Sequence, residues 1–289
     1  MPELPEVETI VRDLRPRLEG LEVRAAAVGE PGVLRYPAAS EFRRRITGRR
    51  LKRVGRHGKY MLVELAGSEL EFLVIHLGMT GRIGLHQPGA DVAPHTHLRL
   101  LLSSGEELRL QDYRRFGRVL LGSPVELATA GMLPALGPEP STDALANPGA
   151  WGLFSSRLTP PLFDAALRRS RRAVKALLLD QGAIAGLGNI YADEACFRAG
   201  VRPTAVAARL GPARRRRLYT AIGEALRGAV DLRGTTFDNY RDANGEKGLN
   251  QHRLRVYGRA GMDCLDCGAT IKKTVVAGRT TVFCPRCQR

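Results

Sequence analysis

Chemistry concentrates at the two ends of the chain. Cys264-Leu-Asp-Cys267 and Cys284-Pro-Arg-Cys287 are two C-x-x-C pairs separated by sixteen residues. Two intervening residues let one tight turn aim both thiolates at one ion, and a second turn completes a tetrahedron. The spacing therefore predicts one structural Zn2+ held by Cys264, Cys267, Cys284 and Cys287, in a module too small to fold without its metal. A redox dithiol or two disulfides would draw on the same cysteines. Between the pairs, TIKKTVVAGRTTVF alternates in polarity and carries Ala277-Gly278 at the expected tip of a β-hairpin. Lys272, Lys273 and Arg279 lie on that hairpin, with Arg286 and Arg289 nearby, and such cations suit phosphate. The fifth cysteine, Cys196, falls in a helical pattern and reads as core.

The other end begins Met1-Pro2-Glu3-Leu4-Pro5-Glu6. Removal of an initiator Met before a small residue would leave Pro2 with a secondary amine. An α-amino group has a pKa near 7.7–8.0 and is partly neutral and nucleophilic at physiological pH. Condensed with an aldehyde, a secondary amine gives an iminium, a cationic electron sink. Glu3 is placed for general acid work, and Glu6, one helical turn on, could add a second carboxylate. The same run also reads as a rigid lead-in to a helix, with acids at its N-terminus.

The elements that must position these groups follow from periodicity. Val7, Ile10, Val11, Leu14 and Leu18 share one face of a helix over 6–18, which Pro16 could kink or end early. From Val23 to about Leu121 short apolar runs and the turn Ser103-Ser104-Gly105 read as a mostly antiparallel β domain. A Gly-, Pro- and Ala-rich stretch at 137–152 reads as a linker. Beyond Thr159 the pattern is helical, the longest helix running from Pro212 to about Leu232.

Across 289 residues, 45 Lys+Arg against 29 Asp+Glu leave a net charge of +16, which favours a polyanionic partner: nucleic acid first, an anionic membrane surface second. No segment approaches the roughly 18–20 apolar residues of a membrane span. The acids at Glu3, Glu6 and Glu8 exclude a signal peptide at the N-terminus, so a soluble cytoplasmic protein is expected.

Further motifs stand in order along the chain: MPELPEVET at 1–9, GRHGKY at 55–60, HLGMTG at 76–81, PHTH at 94–97, DYRRFG at 112–117, LGPEP at 136–140, LLLDQGAIAGLGNIYADE at 177–194, VYGR at 256–259 and the four-cysteine finger containing Arg279. In this order they resemble the formamidopyrimidine-DNA glycosylase family, over essentially the whole chain. The endonuclease VIII-like sister family typically begins Pro-Glu-Gly-Pro, so Leu4 favours the purine-directed branch. The resemblance implies an α+β protein: an N-terminal catalytic antiparallel β-sandwich domain with a flanking helix (1–135), a linker (136–152), a helix–two-turn–helix domain (153–235), and a lesion-capping loop with a C-terminal β-hairpin zinc finger (236–289). It implies a monomeric base-excision-repair glycosylase and abasic-site lyase acting on 8-oxoguanine and formamidopyrimidines in duplex DNA, opposite cytosine, through a Pro2 Schiff base and β,δ-elimination.

By resemblance Pro2 is the nucleophile, Glu3 handles protons at the sugar, Lys59 serves β-elimination and Arg279 δ-elimination. His76, His95, Arg171, Asn189, Tyr257 and Lys273 match positions that hold DNA. Met79, Arg114 and Phe116 match the trio that fills the gap left by the extruded base. From pattern alone, Lys59 would be an exposed turn lysine, Met79 and Phe116 core, His97 a strand residue facing core or solvent, and Asn189 either an N-cap or part of an anion site. Arg214 to Arg217 should be mostly a solvated helix face. The chain departs from the family in Tyr113, where proline is usual, and 238–249 falls where the family has a mobile loop. Two other readings are an oxidised-pyrimidine glycosylase and a non-catalytic zinc-finger nucleic-acid-binding protein; only Pro2, Glu3, Lys59 and Arg279 separate the last from an enzyme.

Overall fold

A computed structural model describes residues 1–29, 32–140 and 157–289. From 141 onward, the expected linker lies outside the described residues. Two compact units emerge, Met1–Pro134 with Arg233–Leu249, and Ala135–Leu232 with Asn250–Arg289. This grouping differs from the expected division at 235, because 233–249 bonds to the first helix and the finger bonds to the helical segment.

In the first unit, helix α1 spans Leu4–Leu18. It begins earlier than its apolar stripe because Glu3 and Glu6 form a capping box, with Pro5 in the first turn where a missing N–H costs nothing. Pro16 does not end it: the helix continues to Leu18, and Val7, Ile10, Val11, Leu14 and Leu18 are all buried. Strands β1 (Val23–Val28), β2 (Leu34–Tyr36), β3 (Leu51–His57), β4 (Tyr60–Leu65), β5 (Glu71–His76), β6 (Arg82–His86), β7 (Thr96–Leu102), β8 (Glu107–Gln111) and β9 (Arg118–Gly122) form two sheets. Their orders are β1-β7-β8-β6 and β2-β9-β5-β4-β3, antiparallel except for β2 with β9. Alternate residues from both sheets, among them Met61, Val63, Leu73, Ile75, Val119 and Leu121 from one and Leu98, Leu100, Leu108 and Leu110 from the other, share one core with α1. Helices α2 (Ala39–Ile46) and α3 (Pro124–Thr129) flank them.

The second unit opens with a two-residue parallel pair, β10 (Glu139–Pro140) with β11 (Arg157–Leu158). It contains α4 (Pro160–Arg169), α5 (Val174–Leu178), α6 (Asn189–Arg198) and α7 (Pro212–Asp231), followed by a hairpin of β12 (Lys272–Val276) and β13 (Arg279–Phe283). The buried stripe of α7 is the expected one, and Arg214, Arg216 and Arg217 are exposed beside it. Cys196 is buried in α6, as core. No helix among the described residues is long and apolar enough to cross a membrane.

One buried ion pair locks α1 to the sheet. Arg56 Nε meets Glu8 Oε2 at 2.7 Å with both side chains fully inaccessible, and Glu8 Oε1 also accepts from Arg12 Nε at 2.8 Å. Removing one member of such a pair strands its partner, whereas replacing both with apolar groups removes the desolvation cost as well. Arg56→Met should lower the unfolding free energy by about 3–5 kcal/mol, and the double variant Glu8→Leu/Arg56→Met should lose less than the sum of its singles. A denaturant double-mutant cycle reads this directly; strictly additive losses would contradict the pairing.

Candidate active site and metal centre

The head of α1 is built around carboxylates. Glu3 and Glu6 are 2 % and 1 % exposed. Glu6 Oε2 accepts the Glu3 N–H at 2.8 Å, and its Oε1 accepts the Thr235 N–H at 2.7 Å. With both oxygens engaged by backbone amides, Glu6 anchors the head of α1 to the segment that carries Thr235. Pro2 is buried beneath an exposed Met1. A left-handed backbone at Gly234 (φ +85°) closes this corner, and a Cβ there would lie 3.0 Å from Glu6 Cγ.

One end of the five-stranded sheet gathers other site residues. Strands β3 and β4 join through the two-residue turn Gly58-Lys59, with His57 paired to Tyr60 and Gly58 at φ +55°. A glycine first in such a loop matches the type II′ hairpin turn. Lys59 is 7 % exposed, so the exposed turn lysine expected from pattern alone is corrected. Across the sheet Tyr60 pairs with His76, and His76 with Arg118. Burial first, then the charges of Lys59 and Arg118, lower the His76 pKa to about 4. His76 Nδ1 accepts the Gly78 N–H at 3.1 Å, so the neutral ring keeps its proton on Nε2 as a donor.

The turn after β5 and the loop before β9 pack backbone to backbone. A Cβ on Gly78 would sit 2.6 Å from the Phe116 carbonyl carbon. This contact sets Met79 (37 % exposed) near Phe116 (50 % exposed), both facing outward. The core placement that periodicity suggested for them is thus corrected. The Arg114 guanidinium lies 4.5 Å from the Phe116 ring centroid. Asp112, fully buried, organises the loop: one carboxylate oxygen accepts from Thr80 Oγ1 and from the Arg114 N–H at 3.3 Å, the other from the Gly117 N–H at 2.7 Å. His97 is buried, its Nε2 3.0 Å from the Asp112 carbonyl, while His95 is exposed at φ +64°. Asp112 and Thr80 carry no catalytic signal in sequence, and only the tertiary contacts reveal their part.

In the second unit Asn189 opens α6 with Gly188 as its N-cap, so the plain N-cap reading of Asn189 is corrected. Its Nδ2 donates instead to the Thr280 carbonyl at 3.0 Å. Buried Lys175 donates to the same carbonyl at 2.9 Å and pairs with Asp193 at 2.8 Å, and Asp193 accepts the Val282 N–H at 3.1 Å. These bonds fix β13 directly after the exposed Arg279. Burial, opposed by Lys175, holds the Asp193 carboxyl above the usual range. The Glu194 carboxylate collects the N–H groups of Arg255, Val256 and Tyr257 at 2.9–3.0 Å, which positions Tyr257. Arg171 and Lys273 are exposed.

All four finger sulfurs lie within 4.8 Å of one another, with Cys264–Cys287 at 3.9 Å and Cys267–Cys284 at 3.4 Å. A tetrahedral ion with Zn–S bonds near 2.3 Å requires S···S separations of about 3.8 Å. The donor set therefore fits Zn2+ and leaves no open coordination position. Burial and then the neighbouring sulfurs push the Cys287 thiol upward, a cost that a divalent cation would relieve. The expected hairpin is present, with Val276 paired to Arg279 and both Ala277 (φ +50°) and Gly278 (φ +70°) left-handed at its tip.

Two outcomes follow from this geometry. Chelation at neutral pH should release the metal and expose the amide of Cys284, which now donates to Gln288 Oε1 at 2.8 Å, to hydrogen exchange. Unchanged protection after metal loss would contradict the structural role. In an NMR titration of the free protein, the His76 ring should remain neutral until the pH approaches 4. A midpoint near the ordinary 6.5 would show that burial and the Lys59 and Arg118 charges do not act on it.

Comparison with known proteins agrees along the full chain. Residues 1–119 match the formamidopyrimidine-DNA glycosylase N-terminal domain, 136–240 the H2TH domain of the same enzymes, and 264–289 a zinc finger found in FPG and IleRS. The formamidopyrimidine-DNA glycosylase of Pelotomaculum thermopropionicum is 42% identical over 290 residues, covering 100% of this chain and 99% of that one. The MutM (Fpg) crystal structure from Thermus thermophilus is 41% identical, with a TM-score of 0.83 and coverage of 99% and 98%. A Lactococcus lactis FPG mutant in complex with a Fapy-dG containing DNA is 33% identical, with a TM-score of 0.86 and full coverage of both chains. With all three segments matched in order, the chain belongs to the formamidopyrimidine-DNA glycosylase family.

Proposed function

We propose that this DNA glycosylase of base excision repair removes oxidised purines, 8-oxoguanine and formamidopyrimidines, from duplex DNA opposite cytosine, then cleaves the abasic site as a monomer. The carrying observation is the common placement of Lys59, His76, Met79, Arg114 and Phe116 around one end of a sheet, with Lys59 buried and the gap-filling trio exposed. A nucleic-acid binder has no need of a buried lysine at a hairpin tip beside exposed wedge residues.

In this reading the Pro2 amine, freed of Met1, attacks C1′ of the extruded nucleotide. The N–C1′ bond forms, the glycosidic bond breaks, and the base leaves with a proton. Glu3 protonates the ring oxygen as the sugar opens to the iminium. The iminium acidifies the C2′ proton. Its loss expels the 3′ phosphate, with Lys59 serving this β-elimination. A second elimination, assigned to Arg279 at the start of β13, expels the 5′ phosphate. His76 donates its Nε2 proton, and His95, Arg171, Asn189, Tyr257 and Lys273 contribute contacts to the DNA backbone. Arg114 reads the orphaned base while Met79 and Phe116 occupy the vacated stack. The divisions 1–135, 136–152, 153–235 and 236–289 remain our proposal for how these tasks are distributed. Zinc, when bound, supplies no chemistry to the reaction and holds the hairpin that carries Lys273 and Arg279.

Borohydride added to protein and an 8-oxoguanine:cytosine duplex should trap a covalent adduct that maps to Pro2. An uncleaved extension before Pro2 should abolish both the adduct and strand cleavage while leaving DNA affinity in place. Binding without an adduct, from protein with a free Pro2, would favour the non-catalytic alternative; an adduct formed only with oxidised pyrimidines would favour the sister family's substrates.

A further inference from the structure

The two ends of helix α6 have different surroundings. Its first residue, Asn189, bonds to the Thr280 carbonyl beside Arg279, at the end where phosphate contacts are proposed. Ten residues, about 15 Å, separate that end from the other. Strand β13 runs the same way, with Thr280 against Asn189 and Val282 against Asp193. The residues after it therefore reach the far end, where the Arg289 N–H meets the Gly200 carbonyl at 3.3 Å and Gln288 Nε2 the Val201 carbonyl at 2.9 Å.

Five arginines from three segments gather at this far end. Arg217 Nε donates to the Ala199 carbonyl at 3.4 Å, and Arg214 Nη1 to the Arg289 main-chain oxygen at 3.2 Å. Arg202 Nη2 donates to the Pro285 carbonyl at 3.5 Å, and Arg286 Nη1 to the Cys267 carbonyl at 3.1 Å. Arg214, Arg217, Arg286 and Arg289 are exposed. Among the described residues none of the five pairs with Asp or Glu, whereas Arg215 of the same run meets Asp164 at 2.6 Å. Even if the Arg289 oxygen belongs to a terminal carboxylate, five cations face one anion.

Cations gathered in this way repel one another, a cost that an external anion relieves. Each bonded guanidinium commits one nitrogen to a main-chain oxygen and keeps further N–H donors. The main-chain oxygens hold the guanidiniums at separate points, so one small anion cannot meet them all. A phosphodiester backbone repeats its charge along a line, and the planar fork of arginine matches phosphate. A peptide partner would need an apolar anchor. Ala199 and Gly200 offer none, and the Arg202 guanidinium lies over the Phe283 ring, 5.2 Å from its centroid.

We propose that the far end of α6 is a second DNA-binding surface, on which Arg202, Arg214, Arg217, Arg286 and Arg289 take the phosphate backbone of a further duplex segment. The proposal rests on the base-excision reading above for the first, lesion-bearing duplex. Two such surfaces let the protein pass from one DNA segment to another without release, which serves a search for rare lesions.

The test uses the zinc-loaded full chain, saturated with a short duplex carrying an uncleavable abasic analogue and then titrated with a fluorescent undamaged duplex. Sedimentation reads the ternary complex. The wild type should capture the second duplex with an affinity that falls steeply with salt. Arg214→Gln/Arg217→Gln/Arg286→Gln should weaken this second step at least about ten-fold and lower its salt slope by about 2 to 3. Affinity for the first duplex and 8-oxoguanine excision should stay within about two-fold. Arg214→Lys/Arg217→Lys/Arg286→Lys keeps the charge and should restore capture. A saturated wild type that captures no second duplex would overturn the proposal, as would a glutamine variant that captures it normally or loses both steps together. Uptake of polyglutamate in place of the second duplex would transfer the surface to an acidic protein and overturn it too. Wild-type protein that binds neither duplex would instead overturn the base-excision reading and remove this inference with it.

Discussion

A helix N-terminus that is to carry the proposed Pro2 amine must be buried without leaving its own amides unsatisfied, and this constraint shapes the first unit. The first turns of a helix leave N–H groups without intrahelical partners. Here Glu3 and Glu6 satisfy them reciprocally, and Glu6 has a second oxygen left for Thr235. One carboxylate thereby ties two distant segments to the same point. Two turns of chain away from the amine, the Glu8–Arg56 pair prevents α1 from sliding along β3. Gly234 and Gly248 are consequences of the same closure, since a Cβ on Gly248 would lie 2.2 Å from the Gly234 carbonyl oxygen.

The same device recurs around several of the proposed site residues. A buried carboxylate collects backbone N–H groups and fixes the loop or strand without drawing on the side chains that it carries. Asp112 holds the loop of Arg114 and Phe116, Glu194 holds Tyr257, and Asp193 holds β13 beyond Arg279. Asp242 does so for the 242–246 turn, accepting from the amides of Asn244 and Glu246 at 2.9 Å while pairing with Arg233. Charge-assisted bonds to backbone are stronger than neutral ones and do not consume the side chains that must meet DNA. Within the segment 238–249, where a mobile loop is expected, Tyr240, Asp242, Ala243 and Gly248 are buried, while 238, 244–247 and 249 are exposed.

Much of this was legible in sequence where a period or a spacing carried it. The α7 stripe, the hairpin tip at Ala277-Gly278 and the cysteine tetrad appear where expected, because each depends on local geometry alone. Helix α2 was not legible: it buries only Phe42 and Ile46 on a short arginine-rich stretch, too little for a periodic signal. Lys59 illustrates the limit of local reasoning. Its turn is correctly a glycine turn, yet the burial of its side chain depends on the rest of the unit. Met79 and Phe116 fail in the opposite sense, since an apolar residue in a β pattern belongs in the core unless a ligand claims it. Periodicity could not mark either exception, because exposure depends on the tertiary contacts of the two turns. Asp112 and Glu194 lie within quoted motifs yet drew no role of their own, because backbone amides, their partners, leave no trace in residue type; Thr80 went with them, since its partner is the Asp112 carboxylate.

The charge of +16 divides along the same line. Arg45, Arg49, Arg53, Arg56 and Arg109 are paired with Glu71, Glu64, Glu8 and Glu107 in largely buried positions, where the desolvation of a cation must be offset by a fixed anion. These arginines are scaffold and contribute little to an external field. Arg114, Arg115, Arg118, Arg171, Lys273 and Arg279 are exposed instead, their charge directed outward to solvent. A cation needed for phosphate must stay hydrated until DNA arrives, because committing it to an internal carboxylate would impose the cost of breaking that pair on every binding event. The surplus that first suggested a polyanion is thus carried by cations that the fold leaves uncommitted to internal carboxylates, and those of the 112–118 loop and of the finger hairpin are among them.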